Sequence, residues 1–299
     1  MTVLVVGSVA LDTVETPFGR VEEALGGSAS YFSYAASLFA PVQLVGVVGD
    51  DFPEEHIEEF RERGIDVAGL ARQPGRTFRW WGRYQGAMNV AETLNVELNV
   101  FGEFRPVVPP QYRDTEFVFL ANASPQVQLE VCRQVPDARL VVADTMNFWI
   151  ENERESLLAL LREVDGVVVN DQEARQLTGE DNLVRAAREI LGLGPMFVVV
   201  KKGEHGSMLA TASGLAVLPA YPSADVKDPT GAGDSFAGGM MGHLACCEKV
   251  GHAVLREALA YGSVVASITV EDFSLRRLAA SSIEDVEDRL AQLRAMAQL

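Results

Sequence analysis

Short, unbroken apolar runs recur along this chain with helix-length segments between them, and that alternation restricts the fold more than any other feature. Val3 to Val6, Val42 to Val48, Phe117 to Leu120, Leu140 to Ala143, Val167 to Val169 and Phe197 to Val200 are apolar at nearly every position. A strand with one wet face alternates, whereas a strand covered on both faces does not, so these runs predict buried parallel strands in an α/β sheet. Helical patterns fill the gaps at Pro53 to Arg63, where Gly64 stops the helix, and at Gln126 to Val135, Glu151 to Val164 and Asn182 to Leu191. Crossovers of that length join parallel strands, with right-handed connections. Two long helices, Asp234 to Cys247 and His252 to Thr269, and an amphipathic one from Ser282 close the chain. With 299 residues, 48% of them hydrophobic, the chain can bury such a sheet as a single domain spanning 1–299.

The alternation breaks between Thr77 and Val100. There Thr93, Asn95, Glu97 and Asn99 interleave with Leu94, Val96, Leu98 and Val100, and Phe78, Trp80 and Tyr84 share a face just before. A period of two marks strands with one wet face. This predicts a small separate sheet over about 77–103, joined by a strand within about 13–23, either as a lid or as an edge hairpin of the main domain.

Glycine-rich turns at predicted strand ends carry the chemistry. Asp228 to Gly239 reads DPTGAGDSFAGG, a sharp turn that opens a helix. Glycines let a backbone approach a ligand closely, and the unpaired N–H groups at a helix start favour an anion, so Gly231, Ala232 and Gly233 form a candidate phosphate cradle. Asp234 is then a helix cap or a general base. Asp12, just past the first strand, is a turn residue or an acceptor for substrate hydroxyls, since ligands gather beyond the carboxyl ends of strands in open sheets. Gly26-Gly27-Ser28-Ala29-Ser30 leads into an apolar helix through Leu38, in which Tyr31 is a core aromatic or a pocket wall. Asn170-Asp171-Gln172-Glu173 fits a capping box equally with a metal-organising pair. Lys201 and Lys202 precede the turn Gly203 to Gly206, as solvated strand-end lysines or as a local positive charge beside phosphates.

Taken together, these motifs resemble the ribokinase-like (PfkB) carbohydrate and nucleoside kinases along nearly the whole chain. The resemblance implies a doubly wound, mainly parallel sheet with a β lid, and transfer of the γ-phosphoryl of ATP, with Mg²⁺, to a primary hydroxyl of a sugar or nucleoside. It assigns Asp234 as general base and the backbone of Gly231, Ala232 and Gly233 as anion hole. Asp12, Gly26, Gly27 and Tyr31 fall on the acceptor site, with Tyr31 standing where an asparagine is common. Asn170 and Glu173 would organise Mg²⁺ through water, and Lys201, Gly203 and Gly206 would flank the nucleotide phosphates. Gly262 and Val265, in the Ala- and Ser-rich helix, are candidates for the adenine wall. Asp228 and the carbonyls around Val270 to Ser274 would hold a monovalent cation such as K⁺, although Asp272 replaces a glycine common there. A ribose-like diol is the expected acceptor, and the apolar faces of the lid imply a homodimer.

Composition narrows the rest. A formal charge of −17 argues against nucleic acid or an anionic membrane as partner. Cys132, Cys246 and Cys247 form neither a disulfide framework nor a metal pair, and no long apolar stretch or basic leader appears, so a cytoplasmic protein is expected. The first strand lacks GxGxxG and no GxxxxGK[ST] occurs, which counts against dinucleotide and P-loop enzymes. A catalytically silent sugar- or nucleotide-binding regulator on the same fold remains the alternative.

Overall fold

The computed structural model of the chain describes residues 1–298. In chain order, β1 (Val3–Val6), β2 (Ala10–Thr16) and β3 (Gly19–Gly26) lead into α1 (Ser28–Ala36), β4 (Val42–Val48), α2 (Glu54–Glu62) and β5 (Ile65–Arg72). A hairpin, β6 (Phe78–Tyr84) and β7 (Ala91–Glu97), precedes β8 (Phe117–Leu120), α3 (Pro125–Cys132) and β9 (Leu140–Asp144). Then come α4 (Asn147–Asn152), α5 (Arg154–Leu160), β10 (Gly166–Asn170), α6 (Asp171–Thr178), α7 (Leu183–Gly192) and β11 (Phe197–Lys201). The chain closes with β12 (Ser207–Thr211), β13 (Gly214–Leu218), α8 (Ala232–Ala245), α9 (His252–Thr269), α10 (Arg276–Ala279) and α11 (Ile283–Met296).

The main sheet has nine strands in the order β13-β12-β11-β10-β9-β8-β1-β4-β5. Pairing is parallel from β11 through to β5, as the apolar runs require. Val3 and Val5 enter one core with α1, α8, α9 and α11, while Leu4 and Val6 enter the other with α3, α5, α6 and α7. Both faces are therefore dry, and polar side chains on these strands are pushed to their carboxyl ends. At β1 the order reverses, with β4 on one side and β8 on the other, and ligands of open α/β sheets gather at such a crevice.

Several elements depart from the sequence expectation. β5 lies at an edge with half its residues exposed, so it lacks the continuous apolar signal of its neighbours. β12 and β13 form an antiparallel hairpin that ends the mainly parallel sheet, and neither strand was singled out in the sequence. The expected helix at Glu151 to Val164 is two, because Glu153 (φ −129°) leaves helical geometry between α4 and α5. α8 begins at Ala232 rather than Asp234.

The second sheet has four strands in the order β3-β2-β6-β7, with β2 and β6 parallel and the outer pairs antiparallel. The alternating stretch does not run to Val100 as strand. Asn99 turns it at φ 47° and donates from Nδ2 to the Thr77 carbonyl at 3.0 Å. Nor is the polar face of β6 wet. Arg79 is buried and bridges Asp51 Oδ2 (2.8 Å) and Glu23 Oε1 (2.9 Å), pinning the small sheet to the loop after β4. On β7, Leu94 and Val96 keep 46% and 45% of their surface exposed.

Candidate active site

The turn before α8 is shaped by what touches its glycines. Gly231 caps the helix at φ 73°, and a Cβ there would lie 2.2 Å from the Tyr31 ring, so both conformation and packing require glycine. A Cβ on Gly233 would lie 2.9 Å from Lys201 Nζ, which places the lysine ammonium directly over the helix start. The Ala232 N–H turns back to the Pro229 carbonyl at 3.2 Å, so of the expected cradle it is the donor already engaged. Among the described residues, the N–H groups of Gly231 and Gly233 have no chain acceptor and stand at the positive end of α8.

Asp234 is the third residue of α8 and does not cap it; the N-cap is Gly231, and no side chain accepts there. Its carboxyl is pushed up to about 7, chiefly by burial and then by Asp144, while Lys201 pulls it down. Lys201 ends β11 and lies 3.6 Å from Asp144 Oδ2, at the end of β9. Burial disfavours its charge, but Asp144, Glu173 and Asp234 outweigh that and hold the ammonium protonated. Glu173 is buried and raised to about 8, again first by burial and then by Asp144. Its Oε2 accepts from the Asn170 N–H at 2.7 Å and Asn170 Oδ1 accepts from the Glu173 N–H at 2.8 Å, the reciprocal capping box of α6. One cation thus serves three carboxyls. Asp144 escaped the sequence reading, although an acid closing an apolar strand was its signal.

A second buried carboxyl belongs to β2. Asp12 sits inside β2, not in a turn, and is 5% exposed. Gly26 leaves room for that carboxylate, since a Cβ there would lie 1.9 Å from Asp12 Oδ2, and the Gly27 N–H donates to the same oxygen at 3.3 Å. Burial raises Asp12 to about 7 against that hydrogen bond, helped by Asp228 and Asp234. The lid reaches the turn before α8 through Tyr84, whose hydroxyl oxygen accepts from Thr230 Oγ1 at 3.4 Å.

Asp228 is a tie. Its oxygens accept from the Thr230 N–H (2.9 Å) and the Ser274 N–H (3.1 Å), and the Val270 carbonyl accepts from the N–H groups of Lys227 and Asp228. Lys227 Nζ lies 4.0 Å from Asp272, the residue at the glycine position, so this loop carries a cation of its own.

A cleft of about 520 Å³ opens beside Lys201, Gly203, Gly206 and Gly233, a volume suited to a nucleotide. Gly262 and Val265, the adenine-wall candidates, face α8 and not this cleft. Val265 is fully buried and lies where a Cβ on Gly239 would come within 2.9 Å of it, and a Cβ on Gly262 would strike the Phe236 carbonyl at 2.6 Å, so both serve the α8–α9 contact. One position further round α9, Ser263 and Ala266 face the cleft, with Ser267 and Val270. From the lid, Met88 and Asn89 close over it, and Asn89 Nδ2 donates to Glu204 Oε1 at 2.8 Å. Among the described residues no three His, Cys, Asp or Glu side chains gather closely enough to hold a metal, and no helix is long and apolar enough to cross a membrane.

Free N–H groups at a helix start, a protonated lysine above it and a nucleotide-sized cleft beside it, on a doubly wound sheet, are features that phosphoryl transfer requires. The pfkB family carbohydrate kinase profile matches residues 2–280, and the chain belongs to that family of ATP-dependent sugar and nucleoside kinases. It is 30% identical over 271 residues to the cytidine kinase of Thermococcus kodakarensis, covering 87% of this chain and 96% of that one. Its fold is similar to that of the Methanocaldococcus jannaschii nucleoside kinase (TM-score 0.79, 20% identity, 97% and 98% of the two chains). It is also similar to an E. coli ribokinase II candidate in complex with ATP and Mg²⁺ (TM-score 0.81, 18% identity, 97% and 99%).

Proposed function

We propose that this chain transfers the γ-phosphoryl group of ATP to the primary hydroxyl of a nucleoside. The observation that carries this reading is Asp234: a half-buried carboxyl raised to about 7, beside a protonated lysine at the open start of α8. A base near neutrality can accept a proton as the acceptor oxygen attacks phosphorus and ADP departs. Charge growing on the transferring group would meet the N–H groups of Gly231 and Gly233 and the Lys201 ammonium. ATP would lie in the cleft, with its phosphates over Gly203, Gly206 and Gly233. Mg²⁺ arriving with those phosphates would neutralise them; Glu173 and Asn170, too few to cage a metal, fit contact through its waters.

Asp12 fits an acceptor hydroxyl, and the likeness to a cytidine kinase favours a riboside over a free sugar. We also propose a homodimer in which β7 covers its exposed apolar face with a second copy. The deciding experiment is ADP release from ATP and Mg²⁺ with a panel of nucleosides, pentoses and hexoses. Turnover of ribosides is expected; turnover of hexoses with every nucleoside inert would refute the acceptor, and no turnover at all would leave a binding protein.

A further inference from the structure

The cleft beside the start of α8 has two walls apart from its glycine turns. One is the stripe Ser263, Ala266, Ser267 and Val270 along α9, and the other is Ala220 to Ser223, which follows β13. With phosphates over Gly203, Gly206 and Gly233, these walls are left for the ribose and base, a flat group that a fixed slot holds best. The α9 wall is rigid because it is helix. The other has no such support: Pro219 to Gly231 is neither helix nor strand, and among the described residues no backbone hydrogen bond holds Ala220 to Val226. Side chains therefore decide where that wall stands.

Those side chains converge on one ion pair behind the walls. Glu271, just past α9, and Arg289, on α11, do not line the cleft. Arg289 donates from Nη2 to Glu271 Oε2 at 2.7 Å and from Nη1 to Ser267 Oγ at 3.1 Å, which ties it to the α9 wall. Its guanidinium carbon lies 5.1 Å from the centre of the Tyr221 ring, and Glu271 Oε1 accepts from Ser223 Oγ at 3.0 Å, so the same pair ties the loop wall at two points. The Arg289 and Glu271 side chains are 15% and 19% exposed, and a charge-assisted bond is stronger there than at an open surface. Burial by itself would raise the Glu271 carboxyl, yet Arg289, Ser223 and Arg277 hold it below its ordinary value. A guanidinium can bond two acceptors through separate nitrogens and lie over a ring at once; an ammonium cannot.

Resting on the reading of this cleft as the ATP site, we propose that Arg289 is a positioning residue for the nucleotide: with Glu271 it clamps the Tyr221–Ser223 wall to α9 and fixes the width of the base slot before ATP arrives. Arg289 lies beyond residues 2–280, which the family profile matches, so the clamp is an addition made by the last helix of this chain. A wall ordered in advance need not be ordered at binding, and that saving appears as affinity.

Helix α11 does not depend on the clamp for its place, because Val286, Leu290 and Leu293 are buried in the core that α9 shares and Ser282 with Asp285 forms its capping box. Arg289→Met keeps an apolar stem and removes the fork. ADP Kd, measured by calorimetry, should rise about 5- to 50-fold. ATP KM should rise by the same factor, while kcat at saturating ATP and the KM for cytidine as acceptor stay within about twofold. Arg289→Lys keeps Glu271 paired, so it folds even where the Met variant does not, and its ADP Kd should rise about 3- to 10-fold. An ADP Kd within about twofold of the parent in every folded variant would overturn the inference. A fall in kcat at saturating ATP as large as the rise in ATP KM would overturn it too, as the mark of a general loosening. A parent that binds no ADP overturns the cleft reading and this inference with it, whereas a parent that binds ADP but phosphorylates no riboside overturns the acceptor reading alone and leaves the ADP titration to decide.

Discussion

Replacing Asp234 by Asn separates a catalytic base from a structural acid, because the two roles predict opposite changes in stability. In the folded chain burial and Asp144 raise this carboxyl from 3.8 to about 7. The folded state holds the proton up to about pH 7 whereas the unfolded chain releases it near 4, so between those limits the folded state binds more protons and the parent loses stability as pH rises. At about 1.4 kcal/mol per pKa unit, the ionised carboxylate costs the parent on the order of 4 kcal/mol at most above pH 7, and side-chain relaxation into the open cleft will trim that. Asn keeps the shape without the charge, and Asp234 does not cap α8, so no capping bond is lost. Urea melts at about pH 5 and pH 8 should show the stability of Asp234→Asn relative to the parent growing by about 1–3 kcal/mol from the lower pH to the higher. The amide cannot accept a proton, so kcat should fall by about 10² to 10⁴ with little change in ATP affinity. An Asn variant whose stability relative to the parent does not grow with pH, or that turns over within about threefold of it, would refute the assignment.

The other expectations rest on separate groups. Asp12 and Asp234 are both raised to about 7 and both act ionised, so kcat/KM for the acceptor should climb steeply below neutrality and level off above it; a profile flat between about pH 5.5 and 8.5 would rule out both roles. The closed hydrogen bonding of Asp228 and the Lys227–Asp272 pair predict equal rates in K⁺ and in tetramethylammonium salts, and activation of more than about tenfold by K⁺ would show a cation site. Light scattering should find a dimer that Val96→Asp with Leu98→Asp disrupts; a monomer at micromolar concentration would leave the apolar face of β7 without this partner.

What the sequence determined by itself is what local chemistry decides. Runs such as Val3–Val6 and Val167–Val169 can only be dry on both faces, the Gly231-Ala232-Gly233 turn can only open a helix tightly, and Asn170 with Glu173 closes a capping box across three residues. These features depend on neighbours in the chain, and the family signature lies in them. The tertiary structure decided what depends on partners far apart in sequence. Lys201 meets Asp144 because β9 and β11 end at the same edge, and burial together with the charges this brings close shifts the protonation of the site. Arg79, opposite Phe78 and Trp80 in the period-two pattern, is dry because Asp51 and Glu23 enclose it. Gly262 and Val265 sit one step round α9 from the cleft, a rotation of about 100° that composition cannot register but the approach of α8 dictates. Tyr31 reads in sequence as a core aromatic or a pocket wall; only the fold brings its buried ring against Gly231, more than 190 positions along the chain.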